Sequence, residues 1–199
     1  ERFPDDRRGY SNLIGYLINS GEDRDDAISG IFERWIVRDS TGPESEARTQ
    51  YAMFCFAAGQ RAYRKGNITR AGQLFRRSID MNDRSPIAYV NLGMVYHSRG
   101  DQAGAIALYR KSLALNPGEI TACVNLGNIY DEQGNTDSAL ALYRRALLLD
   151  DTNASVYENI AAMYDRLGNT ELAVQSLQRA AALGGTDAQH RLLQQGLRW

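Results

Sequence analysis

Asn91-Leu92-Gly93-Met94-Val95-Tyr96 returns, with changes, as Asn125-Leu126-Gly127-Asn128-Ile129-Tyr130, 34 residues further on. The same step forward reaches Asn159-Ile160-Ala161-Ala162-Met163-Tyr164, and one step back reaches the weaker Ala57-Ala58-Gly59-Gln60-Arg61-Ala62. A period of this length marks stacked supersecondary units. Four units tile the chain as 52–85, 86–119, 120–153 and 154–187. Each reads as two helices with a break at Gly66, Gly100, Gly134 or Gly168. Glycine suits the left-handed residue that ends a helix. Asn67, Asp101, Asn135 or Asn169 follows it and can cap the next helix. Ser85-Pro86 and Asn116-Pro117 mark turns between units.

Small residues recur at Gly59, Gly93, Gly127 and Ala161, at Ala71, Ala105, Ala139 and Ala173, and at Ser78, Ser112, Ala146 and Ala180. They let helix axes approach closely. Large side chains fill the remaining space: Tyr96, Tyr130 and Tyr164 on first helices, and Phe75, Tyr109, Tyr143 and Leu177 on second helices. One helix pair cannot bury its own apolar face, so the units must stack.

Spacing, small columns, aromatic columns and the glycine break together resemble the tetratricopeptide repeat, over about two thirds of the chain. Ala62 in place of the first aromatic, and aspartates 83 and 151 where a proline is usual, are departures that suggest a looser first unit. The resemblance implies an all-α fold, a right-handed superhelical solenoid of antiparallel helix pairs. It also implies that first helices line a concave groove where extended peptides lie.

The ends extend this picture. Residues 1–51 read as a degenerate N-terminal helix pair plus connector, with Ser11–Tyr16 in a first helix and Asp25–Ile28 opening a second. Ile31, Phe32 and Trp35 are expected in its core. Ser40–Glu46 is turn-rich, and the next helix is expected to start early, near Ser45. Residues 188–199 carry Leu192, Leu193 and Leu197 at helical spacing, a C-terminal capping helix started by Thr186 or Asp187. Trp199 is expected to join that cover.

Composition bounds the chemistry. The 199 residues carry 23 Lys and Arg against 24 Asp and Glu, a net charge of −1. Nothing in that balance draws the chain to nucleic acid, and no apolar run reaches the length of a membrane span. No phosphate loop, dinucleotide fingerprint, zinc-protease helix or nucleophile elbow is present. The expectation is no enzyme, no cofactor and no metal, with His97 and His190 as ordinary histidines. Cys55 and Cys123 share a column two units apart, four helices at about 8–10 Å each. That exceeds disulfide reach, so both read as buried small hydrophobes. Asn67-Ile68-Thr69 and Asn153-Ala154-Ser155 fit the glycosylation pattern, but both asparagines sit where caps belong. The chain begins at Glu1 rather than Met, so a cytoplasmic placement carries the alternative of a membrane-anchored or exported protein with an upstream segment removed.

What remains is a surface. The concave columns are expected to hold Met53, Ile87, Thr121 and Ser155; Phe56, Val90, Val124 and Glu158; Gln60, Met94, Asn128 and Ala162; and Tyr63, His97, Asp131 and Asp165. Asn91, Asn125 and Asn159 form a ladder of amides, each able to pair with a peptide backbone group. The candidate peptide-binding set is therefore the ladder with Asn128, Phe56, Val90, Met94, Gln60, Tyr63, Asp131 and Glu158. Unit 52–85 carries seven basic and two acidic residues, and unit 120–153 two basic and five acidic. The groove is expected to be basic and apolar at one end and acidic at the other, unless Arg61, Arg64, Arg70, Arg76 and Arg77 form a solvated outer face. Family members that clamp chaperone C-termini use Lys and Arg on first helices; here Val90, Met94, Asn125, Ser155 and Asn159 stand in those places, with Phe56 and Gln60 in the first unit. The leading expectation is a non-catalytic scaffold or adaptor for an extended peptide or protein segment. The alternatives are a self-assembling homo-oligomer, or the recognition region of a larger enzyme or secretion or assembly complex.

Overall fold

The computed structural model describes residues 7–19, 24–38 and 45–199. Among them the secondary structure is helical throughout: α1 (Arg7–Asn19), α2 (Asp25–Arg38), α3 (Glu46–Arg64), α4 (Ile68–Met81), α5 (Pro86–Ser98), α6 (Gln102–Leu115), α7 (Ile120–Glu132), α8 (Thr136–Leu149), α9 (Ala154–Arg166), α10 (Thr170–Ala182) and α11 (Thr186–Gln194). This is an all-α fold built of consecutive helix pairs, as the resemblance implies. Contacts divide the chain into two compact units, Glu1–Val95 and Tyr96–Trp199, with the division inside α5.

The helix breaks follow the local chemistry read from sequence. Gly66, Gly100, Gly134 and Gly168 all have φ between 72° and 81°, a region where any Cβ is strained. The next residue then caps. Asn67, Asp101, Asn135 and Asn169 each accept a hydrogen bond from the backbone N–H three residues on, of Arg70, Gly104, Ser138 and Leu172. Asn153 does the same for Val156 N–H at the start of α9. The two glycosylation-like asparagines are thus both caps.

In the first unit, α1 and α2 form a pair over Tyr10, Ile14, Leu17, Ile28, Ile31, Phe32 and Trp35, all buried. Phe32 is its hub: its ring lies 6.1 Å from Trp35, 5.0 Å from Tyr51 and 5.6 Å from Phe54. Of the connector Ser40–Glu46, residues 40–44 lie outside the described residues, whereas Ser45 caps α3 by accepting from Arg48 N–H. The early start near Ser45 gives α3 its 19 residues. Three arginines of the basic stretch lie on an exposed face, where each meets a carboxylate of α2. Arg61 meets Asp25 at 2.8 Å, Arg77 meets Glu33 at 2.8 Å, and Arg70 meets Asp26. They complement the acidic face of α2.

In the second unit, one core gathers Cys123, Ala139, Tyr143, Ala146, Val156, Ile160 and Met163, and another Ala161, Leu177, Ala180, Ala181, Ala188 and Leu192. Two expectations at the C-terminus are corrected. Gly185, not Thr186 or Asp187, is the residue before α11, and it has no side chain with which to cap. Leu192 is fully buried, but Leu193, Leu197 and Trp199 stand 60%, 37% and 50% exposed. The apolar cover comes from Ala188 and Leu192, because the opposite face of the helix points to solvent. No helix of the described residues is long and apolar enough to cross a membrane.

Candidate functional site

The first helices α7 and α9 bring the site together in the second unit. Residues 128, 131 and 132 fall on one face of α7 because 131 and 132 lie three and four positions past 128. Residues 159, 162 and 166 do the same on α9. With Tyr143 from α8, they line an open cleft of about 490 Å³ bounded by Asn128, Asp131, Glu132, Tyr143, Asn159, Ala162 and Arg166.

The polar groups of this cleft are connected. Asn128 Oδ1 accepts from the Tyr143 hydroxyl at 2.8 Å and from Asn159 Nδ2 at 3.0 Å. Tyr143 is fully buried, and burial pushes its phenol pKa up, with the Asp131 charge adding to the effect. Asp131 is ion-paired with Arg166, and the carboxylate raises the already high pKa of that guanidinium. Glu132 accepts from Gln102 Nε2 at 2.9 Å and lies 3.1 Å from His97 Nε2. Asp165 pairs with Arg191 of α11. Charge here is largely matched internally, so the amides are the groups left to meet a ligand.

The sequence-predicted residues divide as follows. Asn125, Asn128 and Asn159 are half-buried on the cleft helices, together with Asp131. Asn91 is half-buried on α5, and its Nδ2 donates to Ile87 O at 2.8 Å, so one donor is engaged within its own helix. Phe56 is half-buried, with its ring 5.9 Å from that of Phe75. Gln60 is exposed, and Tyr63 and Met94 are half-buried.

One candidate is corrected. Val90 is fully buried and offers no surface to a partner. Its branched side chain belongs to the core stripe, one position off the exposed face. Glu158 accepts from Ala188 N–H at 3.3 Å. It supplies to α11 the cap that Gly185 lacks, where a carboxylate also complements the helix dipole. Glu132, Tyr143, Ala162 and Arg166 were absent from the sequence-derived set. A sequence signal exists for one of them: Arg166 lies one position past a full repeat from Asp131, the offset at which His97 also meets Glu132.

Comparison with known proteins agrees with this fold. Tetratricopeptide-repeat profiles match residues 56–120, 96–158 and 154–183. No curated protein sequence matches the chain. Among solved structures, MamA is 20% identical with a TM-score of 0.64, over 82% of this chain and 91% of that one. YrrB, described as a tetratricopeptide protein with an unusual peptide-binding site, is 19% identical with a TM-score of 0.67, over 94% and 91%. The first tetratricopeptide domain of Spaghetti (RPAP3), bound to the HSP90 peptide SRMEEVD, is 19% identical with a TM-score of 0.57, over 60% and 95%. At these identities the likeness is one of fold. With the period, the glycine breaks, the caps and the profile matches in agreement, the chain belongs to the tetratricopeptide-repeat family.

Proposed function

We propose that this chain is a non-catalytic protein-interaction scaffold that holds an extended peptide or protein segment across its first helices, with the cleft between α7 and α9 as the centre of contact. The observation that carries this reading is the side-by-side placement of Asn128 and Asn159 in an open cleft whose charged groups are already paired. Asn125, one turn before Asn128 on α7, adds an amide that bonds to no other described residue. In the first unit the corresponding faces of α3 and α5 offer Phe56, Gln60, Tyr63 and Met94.

Magnitude sets the division of labour. A hydrogen bond contributes about 0.5–1.5 kcal/mol net of water. Micromolar affinity needs about 8 kcal/mol. The amides therefore orient a chain, and apolar contacts from the ligand's side chains supply most of the affinity.

The test is selection from a displayed peptide library, followed by calorimetry of the enriched peptide against the wild type and Asn125→Ala/Asn159→Ala. A loss of affinity with helicity intact is expected. Unchanged affinity in a folded double variant sinks the ladder. A second reading, docking of one copy on another, draws on exposed Leu193, Leu197 and Trp199 beyond buried Leu192. A light-scattering mass independent of concentration removes it.

A further inference from the structure

The direction of the hydrogen bonds in the cleft carries information that the residue names do not. The Tyr143 ring is packed against Gly127 and fully buried, so its hydroxyl proton must find an acceptor inside the protein. The acceptor in reach is Asn128 Oδ1, at 2.8 Å. Turned over, Asn128 would present its NH2 to the hydroxyl, and the buried proton would be stranded. The phenol therefore fixes which end of the Asn128 amide points inward.

The constraint passes on. Asn128 Oδ1 also accepts from Asn159 Nδ2 at 3.0 Å, which fills its two lone pairs. Asn159 must then turn its nitrogen inward and its oxygen away. Two groups are left over: the NH2 of Asn128 and the carbonyl of Asn159. Neither is bonded to another described residue, and both residues line the cleft.

We propose that Tyr143 is a positioning residue, whose hydroxyl orients the Asn128 and Asn159 amides so that the cleft presents one donor and one acceptor to the main chain of an extended segment. Asn128 Nδ2 meets a backbone carbonyl and Asn159 Oδ1 meets a backbone N–H. This rests on the peptide-binding reading above. It deepens that reading by assigning the cleft to main chain instead of charged side chains, because Asp131 is already matched by Arg166. Burial raises the phenol pKa, so the donor persists across the physiological range.

The probe is a random unstructured peptide library displayed on phage, and the best binder is then titrated calorimetrically. Tyr143→Phe keeps the ring and removes the proton; it is expected to weaken binding about fivefold with the helical signal unchanged. Asn128→Asp keeps the acceptor for Tyr143 and Asn159 but places a second acceptor where the donor stood. It is expected to cost at least roughly tenfold in a protein that remains folded. Scanning N-methylation along the peptide should find a position where methylation abolishes wild-type binding but matters little in either variant. Equal affinity for the wild type and both variants overturns the positioning role while leaving the peptide reading intact. A wild type that enriches no peptide overturns both.

Discussion

A methyl group on Gly59 would sit 2.7 Å from Phe75 Cε1, and one on Gly127 would sit 2.7 Å from Tyr143 Cε1. At the fourth place of that column Ala161 is tolerated, because its partner in the same core is Leu177. Glycine thus stands against an aromatic ring and alanine against a smaller aliphatic chain. Gly59→Ala should destabilise by about 1–3 kcal/mol through overpacking, despite the better helix propensity of alanine. Gly59→Ala/Phe75→Leu should lose less than the sum of the single changes, a coupling that a double-mutant cycle in urea measures. The two thiols make a second test. Burial raises Cys55 to about 12 and shifts Cys123 upward. A thiol whose folded pKa lies above its unfolded value favours the fold below about pH 9 and loses that contribution as pH rises toward the folded value. Stability should therefore fall through that alkaline window. Neither cysteine should react with a thiol reagent at pH 8 until denaturant is added; rapid reaction of the native protein would contradict the burial. At this scale the sequence was nearly transparent for caps and breaks, since Gly66 and Asn67 act on their own neighbours. It was opaque for Val90, because one step around a helix separates core from surface, and a repeat column does not say which side of that line a valine falls on.

At the level of helices, α11 depends on a group far away in the chain. Glu158, on α9, closes its N-terminus by accepting from Ala188 N–H. Glu158→Ala should speed amide exchange across Thr186–Gln194 while leaving α9 and α10 protected, at a cost of about 1 kcal/mol. Uniform protection of α11 in the variant would show that the Ala188 and Leu192 contacts and the Arg191–Asp165 pair hold the helix without the cap. No local pattern could reveal this contact, since the two residues are 30 apart and the glutamate lies in a column that otherwise reads as ligand-facing. The same limit hid Tyr143 from the candidate set, since it earns its place by what it touches across a helix pair, whereas Arg166 was open to the repeat offset. The period gave which helices exist and which faces share a column, but hydrogen-bond direction within the cleft needed coordinates.

Each of the two compact units has its own source of cohesion. In the first, α2 meets α3 and α4 by two means, the Phe32-centred aromatic cluster and the ion pairs of Arg61, Arg70 and Arg77. Exposed pairs of this kind contribute about 0–1 kcal/mol each and are screened by salt. Losing a buried aromatic costs about 3–5 kcal/mol. One molar sodium chloride should thus leave Trp35 fluorescence unchanged, and Phe32→Ala should expose α1 and α2 to limited proteolysis. Release of Trp35 by salt alone would reverse that ranking. In the second unit, the last turn of one first helix meets that of the next through His97 with Glu132, then Asp131 with Arg166. The position is the same, but the carboxylate has changed sides. That reversal makes the repeats non-interchangeable during gene slippage. Excision of residues 120–153 would bring Arg166 opposite His97, a pair without a carboxylate, and duplication of that stretch would set Asp131 against a second Glu132, acid beside acid. A change of copy number in this part of the array would thus exchange a favourable contact for an absent or unfavourable one, worth at most about 1 kcal/mol between exposed groups.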